Sequence, residues 1–284
     1  MKSNKRLYIL EFFMLAFLVV YLYPFVIVFI NSAKDAFSVT QYPMRLPEKW
    51  SQLFVNMESI WTSRNVRYSS SFFSSLIITA LSLVFVTIFP AMGAWVLVRT
   101  KTKTSQFIFL IFVAAMVIPF QIVMFPLVAW FRTVFQVTGL RLLRTYFGIV
   151  LAYLGFGLSL SVFVYHGFIK NIPFELEEAS IIDGCKLPEV FFRIIFPLLT
   201  PVHATIGILH GMWIWNDFLL PLLVLGKGNR IQTLPLAVAN FAGAYVKQWD
   251  LILTAILMAM IPVLILFFIA QKRIVKGMVA GSIK

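Results

Sequence analysis

Charge is scarce in this chain, and acid is scarcer still. Asp, Glu, Lys and Arg make up 12% of its 284 residues, about half the share of a soluble domain. With 61% apolar residues, a water-soluble fold would leave large apolar patches open to solvent. A soluble enzyme or binding module is thereby excluded. Only 11 Asp and Glu stand against 24 Lys and Arg, a net charge of +13. In a soluble chain that excess would suggest nucleic acid. Here the bases fall mainly between apolar blocks, without a basic cluster interleaved with aromatics on a polar stretch. No nucleic acid is expected. The bases fit a lipid bilayer, where they meet anionic head groups and set orientation.

Other absences narrow the chemistry. Cys185 is the single cysteine, so there is no intrachain disulfide and no thiolate metal site. It reads as a small packing residue. His166, His203 and His210 lack ligand-like spacing, and helix-to-helix hydrogen bonding is expected of each. No metal is expected. No constellation of nucleophile, base and acid appears, so the chain is not expected to be an enzyme. The phosphate-binding run Gly-x-x-x-x-Gly-Lys-Ser/Thr is missing, so no nucleotide cofactor is expected in this chain. Strict alternation of apolar and polar residues is missing too, which argues against a barrel.

What is present is six apolar blocks, roughly 7–30, 72–98, 107–131, 146–169, 198–225 and 251–270. Each is long enough for the ~20 helical residues that cross hydrocarbon. Backbone groups in lipid bond within their own segment, so the blocks predict helices. The expected fold is all-α, a polytopic membrane protein with six transmembrane helices. The first block follows Lys2, Lys5 and Arg6 but is too long for a signal peptide and is followed by no A-x-A site. It is expected to be a retained helix. With the N-terminus inside, 13 of the 24 bases fall in inside segments. The other 11 spread over longer loops, which count for little. Both termini are therefore expected to be cytoplasmic.

Residues 170–197 differ from the rest. Glu175, Glu177, Glu178, Asp183 and Glu189 crowd into one polar connection. Pro173 followed by acids predicts a helix start that complements the helix dipole. Gly184 predicts a left-handed cap, and Pro188 with Glu189 predicts a second helix running towards Pro197. Phe174, Leu176, Ala179 and Ile182 form an apolar stripe on the first helix. An acidic helix suits an anionic leaflet poorly, so docking to a protein is expected.

The run Glu178-Ala179-Ser180-x-x-Asp183-Gly184, nine residues, then Ile194-x-x-Pro197 resembles the Glu-Ala-Ala loop of ABC importer permeases. Ser180 stands where that family usually has a second Ala. Pro119-Phe120-Gln121 with Pro126, Trp215-Asn216-Asp217-Phe218 with Pro221, Thr233-Leu234-Pro235 and the tail Gly277-x-x-x-Gly281-Ser282-Ile283-Lys284 extend the resemblance. In this order they are similar to the smaller permease subunit of maltose-type carbohydrate importers. The resemblance implies a type I permease fold, one transmembrane permease domain over 1–284, and 170–197 as its cytoplasmic ATPase-coupling loop. It implies a bacterial cytoplasmic membrane, carbohydrate import, and a second, related permease as heterodimer partner. It further implies two ABC ATPase subunits that hold ATP and Mg, and an extracytoplasmic solute-binding protein. Glu178, Ala179, Ser180, Asp183, Gly184, Ile194 and Pro197 would carry the coupling contact.

Asp217 is the carboxylate placed well inside a predicted span, where charge is costly and usually faces the bundle interior or water. With Trp213, Trp215 and Asn216 near it, three readings stay open: it lines a sugar path, it bonds a neighbouring helix, or it sits near the outer surface, since Pro221 and the end of the span follow. Gln121, between Pro119 and Pro126, is either at a cavity edge or at a packing kink. Gly207 and Gly211 form a G-x-x-x-G that permits close helix contact. The competing functions are an ABC permease for a non-sugar solute and an ion-coupled secondary transporter. The latter would want inverted repeats and paired intramembrane acids.

Overall fold

The computed structural model describes the backbone of residues 5–63, 67–244 and 248–282, and every regular element among them is helical. The chain divides into two compact units, residues 1–69 with 237–262, and residues 70–236 with 263–284.

In the first unit, α1 (Lys5–Ser32) is apolar around its whole circumference, and its side chains from Tyr8 to Phe25 are largely exposed. A helix apolar on every face suits lipid and not water. Its last turn is tied off by buried polar groups. The Asn56 amide, on α3 (Gln52–Thr62), donates to the carbonyls of Ser32 and Lys34, both at 2.9 Å. The Thr254 hydroxyl donates to the same Ser32 carbonyl at 3.0 Å. The Lys34 ammonium donates to Asn31 Oδ1 at 2.9 Å and to the Tyr42 carbonyl at 2.8 Å. Between them, α2 (Ala36–Gln41) is capped by Asp35, and hydrogen bonding from Ser38 holds that carboxyl below its ordinary pKa. A helix leaves its last carbonyls without intrahelical partners, and here side chains from distant sequence supply them.

The second unit is organised around α7 (Tyr146–Ile169), the helix with the most buried positions. Most of α4 (Tyr68–Arg99), then α5 (Lys103–Ala115) and α6 (Phe120–Thr138), precede it. The connection after α7 holds α8 (Glu175–Ile182), α9 (Leu187–Glu189), a π-helical stretch Val190–Ile195 and α10 (Phe196–Leu198). It leads into α11 (Thr200–Asn216) and α12 (Leu219–Val224). Two further helices, α13 (Leu234–Ala244) and α14 (Trp249–Ser282), complete the chain, and their residues 237–262 belong to the first unit. One core cluster joins Val86, Tyr165, Phe191, Ile195 and Ile206; a second joins Ile78, Phe131, Tyr153, Ile214 and Leu220.

Two of the three histidines form the expected bonds between helices. Tyr165 OH meets His203 Nδ1 at 2.7 Å, and Ser161 Oγ meets His210 Nε2 at 2.9 Å. His166 instead stacks on Phe109, centroids 3.7 Å apart. The close contact that Gly207 and Gly211 permit is not made: a Cβ at Gly207 would meet nothing within 4 Å, and one at Gly211 would lie 3.5 Å from Leu83. A tight approach between helices is at Gly157, where a Cβ would come within 3.0 Å of Val86 and 3.3 Å of His210.

The count of six uninterrupted spans is not reached. By length and composition four described helices can cross a membrane: Tyr8–Ser32, Tyr68–Arg99, Phe120–Thr138 and Tyr146–Ile169. A fifth follows if Leu187–Leu198 and Thr200–Asn216, bent by 74°, are one span. The reasons are local. The expected span at 107–131 is broken between α5 and α6 at Pro119, which has no N–H and drives the preceding residue out of the helical region. The expected span at 198–225 is broken at Asp217, whose backbone is extended. The last expected span lies within α14, whose apolar part is described as Trp249–Ile265. The tail backbone continues α14 to Ser282, and Ile283 and Lys284 lie outside the described residues.

Replacing Asn56 by Ala leaves the Lys34 carbonyl without a donor and the Ser32 carbonyl with Thr254 alone. An unsatisfied buried group costs about 1–3 kcal/mol, so Asn56→Ala should lower the Tm of the purified protein clearly. Gln52→Ala, which removes a donor to Asn56 but leaves both carbonyls bonded, should lower it less.

Candidate functional site

The acidic connection is built around its glycine. Gly184 has φ +90°, the left-handed region. Cys185 N–H donates to the Ser180 carbonyl and Gly184 N–H to the Ile181 carbonyl, both at 3.0 Å. This pair of bonds is the Schellman closure of a helix. Glu189 then accepts from the Lys186 N–H at 2.9 Å and starts α9. The sequence predicts both short helices and the glycine between them. The unpredicted element is the π-helical stretch, whose Val190, Phe191 and Ile195 are buried.

The coupling residues expected from sequence divide by burial. Glu178, Ala179, Asp183, Gly184 and Pro197 are exposed, Ile194 is half-buried, and Ser180 is buried with its hydroxyl bonded to the Leu176 carbonyl at 2.6 Å. The apolar stripe is uncovered: Phe174, Leu176 and Ala179 are exposed, and Ile182 is 84% exposed. Ile181 and Leu187 extend it. Cys185 is free and half-buried.

Glu177 is the residue that sequence reasoning missed. It is 3% exposed, and Arg99 Nε donates to its Oε1 at 2.7 Å while Trp95 Nε1 donates to its Oε2 at 3.0 Å. Arg99 Nη2 also donates to the Ile172 carbonyl at 3.1 Å. Spacing in the chain gave no signal for this cluster. The available signal was an arginine one turn after a tryptophan at the end of an apolar block.

The other expected set does not gather in one place. A cavity of about 990 Å³ opens beside the α5–α6 break, and Gln121 lines it. Trp215, Asn216 and Asp217 are not among the lining residues. Asp217 accepts from Tyr153 OH at 3.0 Å and from the Leu219 N–H at 2.9 Å. It therefore ties α7 to the turn before α12 and accepts the first N–H of α12. Asn216 donates to the Met212 carbonyl at 2.8 Å within its own helix, and Trp215 packs edge-on against Phe72, centroids 5.9 Å apart. The cavity wall is instead aromatic. Phe120 meets Phe156 at 4.5 Å and Trp213 at 6.2 Å between centroids. Ser159 and His210 add polar edges, and none of the lining residues is Asp, Glu, Lys or Arg. Among the described residues no group of three His, Cys, Asp or Glu is placed to hold a metal. The arrangement offers stacking faces and neutral hydrogen-bonding groups, and no reactive centre.

Residues 90–280 match the family described as binding-protein-dependent transport system inner membrane component. The probable starch degradation products transport system permease protein AmyC of Thermoanaerobacterium thermosulfurigenes is 40% identical over 284 residues, 100% of this chain and 99% of that one. The melibiose/raffinose/stachyose import permease protein MelC of Bacillus subtilis (strain 168) is 34% identical over 232 residues, 81% of each chain. A chain from the crystal structure of a bacterial ABC transporter importing the acidic polysaccharide alginate shares the fold. Its TM-score is 0.76 at 22% identity, with 96% of this chain and 98% of that one covered.

A Cβ at Gly184 would meet no atom within 4 Å, so any penalty there comes from the backbone alone. Holding a side chain in left-handed geometry costs about 1–2 kcal/mol. Gly184→Val should speed amide exchange across Glu175–Ile182 without changing exchange in α7, and Gly184→Asn should do so less.

Proposed function

The chain belongs to the binding-protein-dependent transport system inner membrane components, and on that footing we propose that it is the permease subunit of an ATP-driven carbohydrate importer. It is a transport permease, not an enzyme. Its work is alternating access, with ATP and Mg held by two partner ATPases. A second, related permease completes the translocation path, and an extracytoplasmic binding protein delivers solute. The chain crosses the membrane six times, the interrupted helices α5–α6 and α11–α12 each serving as one crossing. Both termini and the 170–197 loop face the cytoplasm. The tail from Lys276 to Lys284 reaches between the ATPases.

One observation carries the coupling assignment. The helix α8 and the Phe174 before it hold Phe174, Leu176, Ala179 and Ile182 uncovered beside a left-handed Gly184, an apolar face suited to a cleft on another subunit. Glu178 and Asp183, exposed at its flank, would bond donors on that cleft's rim. The solute class is supported by the aromatic cavity without charged side chains. Aromatic rings stack on sugar faces, and Gln121 and Ser159 offer hydrogen bonds to hydroxyls. It is supported too by relatives named for starch degradation products and for melibiose, raffinose and stachyose.

The test is co-purification of the ATPase together with uptake of labelled maltotriose and raffinose by cells carrying the assembled importer. Gly184→Val should reach the membrane, recover less ATPase and transport little. Glu178→Ala should be milder, since a rim ion pair contributes about 0–1 kcal/mol. Trp213→Ala should reduce uptake with ATPase recovery intact. Full ATPase recovery and full uptake with Gly184→Val would remove the coupling assignment. Uptake of neither sugar by the unaltered importer, with an amino acid carried instead, would remove the solute class.

A further inference from the structure

We propose that Glu177 is the joint that makes α8 and α4 one moving body, so that a push on the loop is delivered through α4 to the cavity wall. The proposal rests on the reading of 170–197 as the coupling loop and adds the route its motion takes.

The attachment of α8 is inverted. Its apolar side chains point away from the unit, and a carboxylate points in. Glu177 uses both oxygens, one for Arg99 and one for Trp95. These two donors stand at i and i+4, so they share one face of α4 at its end. The same two side chains grip the connection at further points. Arg99 binds the Ile172 carbonyl and lies 5.5 Å from the centre of the Phe174 ring, ahead of α8. The Trp95 ring packs on Phe191, centroids 5.4 Å apart, after it. Polar and aromatic contacts thus hold both sides of the α8 turn to a single turn of α4.

A buried carboxylate is retained only while its partners stay in place, because losing one leaves an unpaired charge out of water. Sliding of α8 over α4 would do that, so displacement moves both together. Along α4, Val86 lies against Gly157 and near His210, where even a methyl group on Gly157 would not fit without movement. His210 lines the cavity. A shift of α4 therefore meets close packing beside His210, a residue of the cavity wall.

Glutamine cannot replace Glu177: its amide nitrogen would face an N–H donor on either side. The test uses the assembled importer in a Cys185→Ser background with pairs of spin labels. One pair, on Ile182→Cys and Phe89→Cys, reports the joint. A second, on Phe89→Cys and Phe125→Cys, reports movement of α4 against α6. In the otherwise unaltered chain the first distance should be narrow and the same without nucleotide and with ADP–vanadate, while the second should shift. Glu177→Gln should broaden the first and abolish the shift in the second, with ATPase still bound and hydrolysing. Glu177→Asp, which keeps two acceptor oxygens, should broaden the first less than Glu177→Gln and retain part of the shift in the second, and Trp95→Phe, which keeps a ring against Phe191, should broaden the first only in part. A first distance that changes with nucleotide in the unaltered chain overturns the joint. So does a shift in the second pair that survives Glu177→Gln. If the unaltered chain recovers no ATPase, the coupling-loop reading fails, and the first distance, measured in the purified chain with and without Glu177→Gln, still decides the joint.

Discussion

A polar side chain between helices must find its partner on the neighbouring helix or the adjoining turn, because lipid offers none. The contact of α7 with the α11 region is built on that constraint. Tyr153 bonds Asp217, Ser161 bonds His210 and Tyr165 bonds His203. The partners run in opposite order along the two segments, so the bonds fix the pairing as antiparallel and set its register. The His203 ring also reaches the Phe196 carbonyl at 2.9 Å, binding the bend before α11 to the same ladder. Gly157 lies between the Tyr153 and Ser161 rungs and lets Val86 of α4 approach closely. The second core cluster and the cavity wall share residues with this framework.

The interruptions in the apolar blocks place its other parts. An unbroken helix over 107–131 would keep Phe120 and Gln121 on a continuous surface. The stop at Pro119 opens the edge of the cavity that both residues line. Asp217 breaks the next long block and repairs the break, since its carboxylate accepts the Leu219 N–H that the new helix leaves over. Leu234 N–H, at the start of α13, is received by Ser75 Oγ at 2.7 Å, which anchors the Thr233-Leu234-Pro235 segment on α4. At Asp217 the freed backbone group is met by a side chain close in sequence, at α13 by one on a distant helix.

That distance decides what the sequence makes legible. The 170–197 loop was readable because its determinants are local: Gly184 and the carbonyls it closes on are within a few residues of each other. The helical class was readable from apolar block length. The number of unbroken spans was not, because hydropathy averages over a Pro or an Asp that stops a helix. Glu177 was indistinguishable from Glu175 and Glu178 by type and neighbourhood; only the arrival of Arg99 and Trp95 from another helix singles it out. Asp217 leaves both a pathway and a helix-to-helix role open in the sequence, because an intramembrane acid is costly and a tyrosine hydroxyl with a helix N-terminus can meet that cost as well as a solute. Gln121, a polar group beside a proline break, lines the cavity, and of the two tryptophans beside Asp217 it is Trp213 that lines it, while Trp215 packs on Phe72.

The loop also inverts the usual logic of an amphipathic helix. A surface helix buries its apolar stripe and turns its acids to water. In α8 an acid is the most deeply held side chain, and Phe174, Leu176, Ile181 and Ile182 face outwards. Apolar burial therefore contributes little to holding α8 in place; the Schellman closure and the Glu177 cluster do that instead. Such a helix is poorly suited to solitude, since each exposed apolar side chain gives up about 1.5–3 kcal/mol that burial would return. Its position is fixed by polar bonds from within, and its stability is left to be completed from outside. That division suits an element that must present the same face each time a partner engages it.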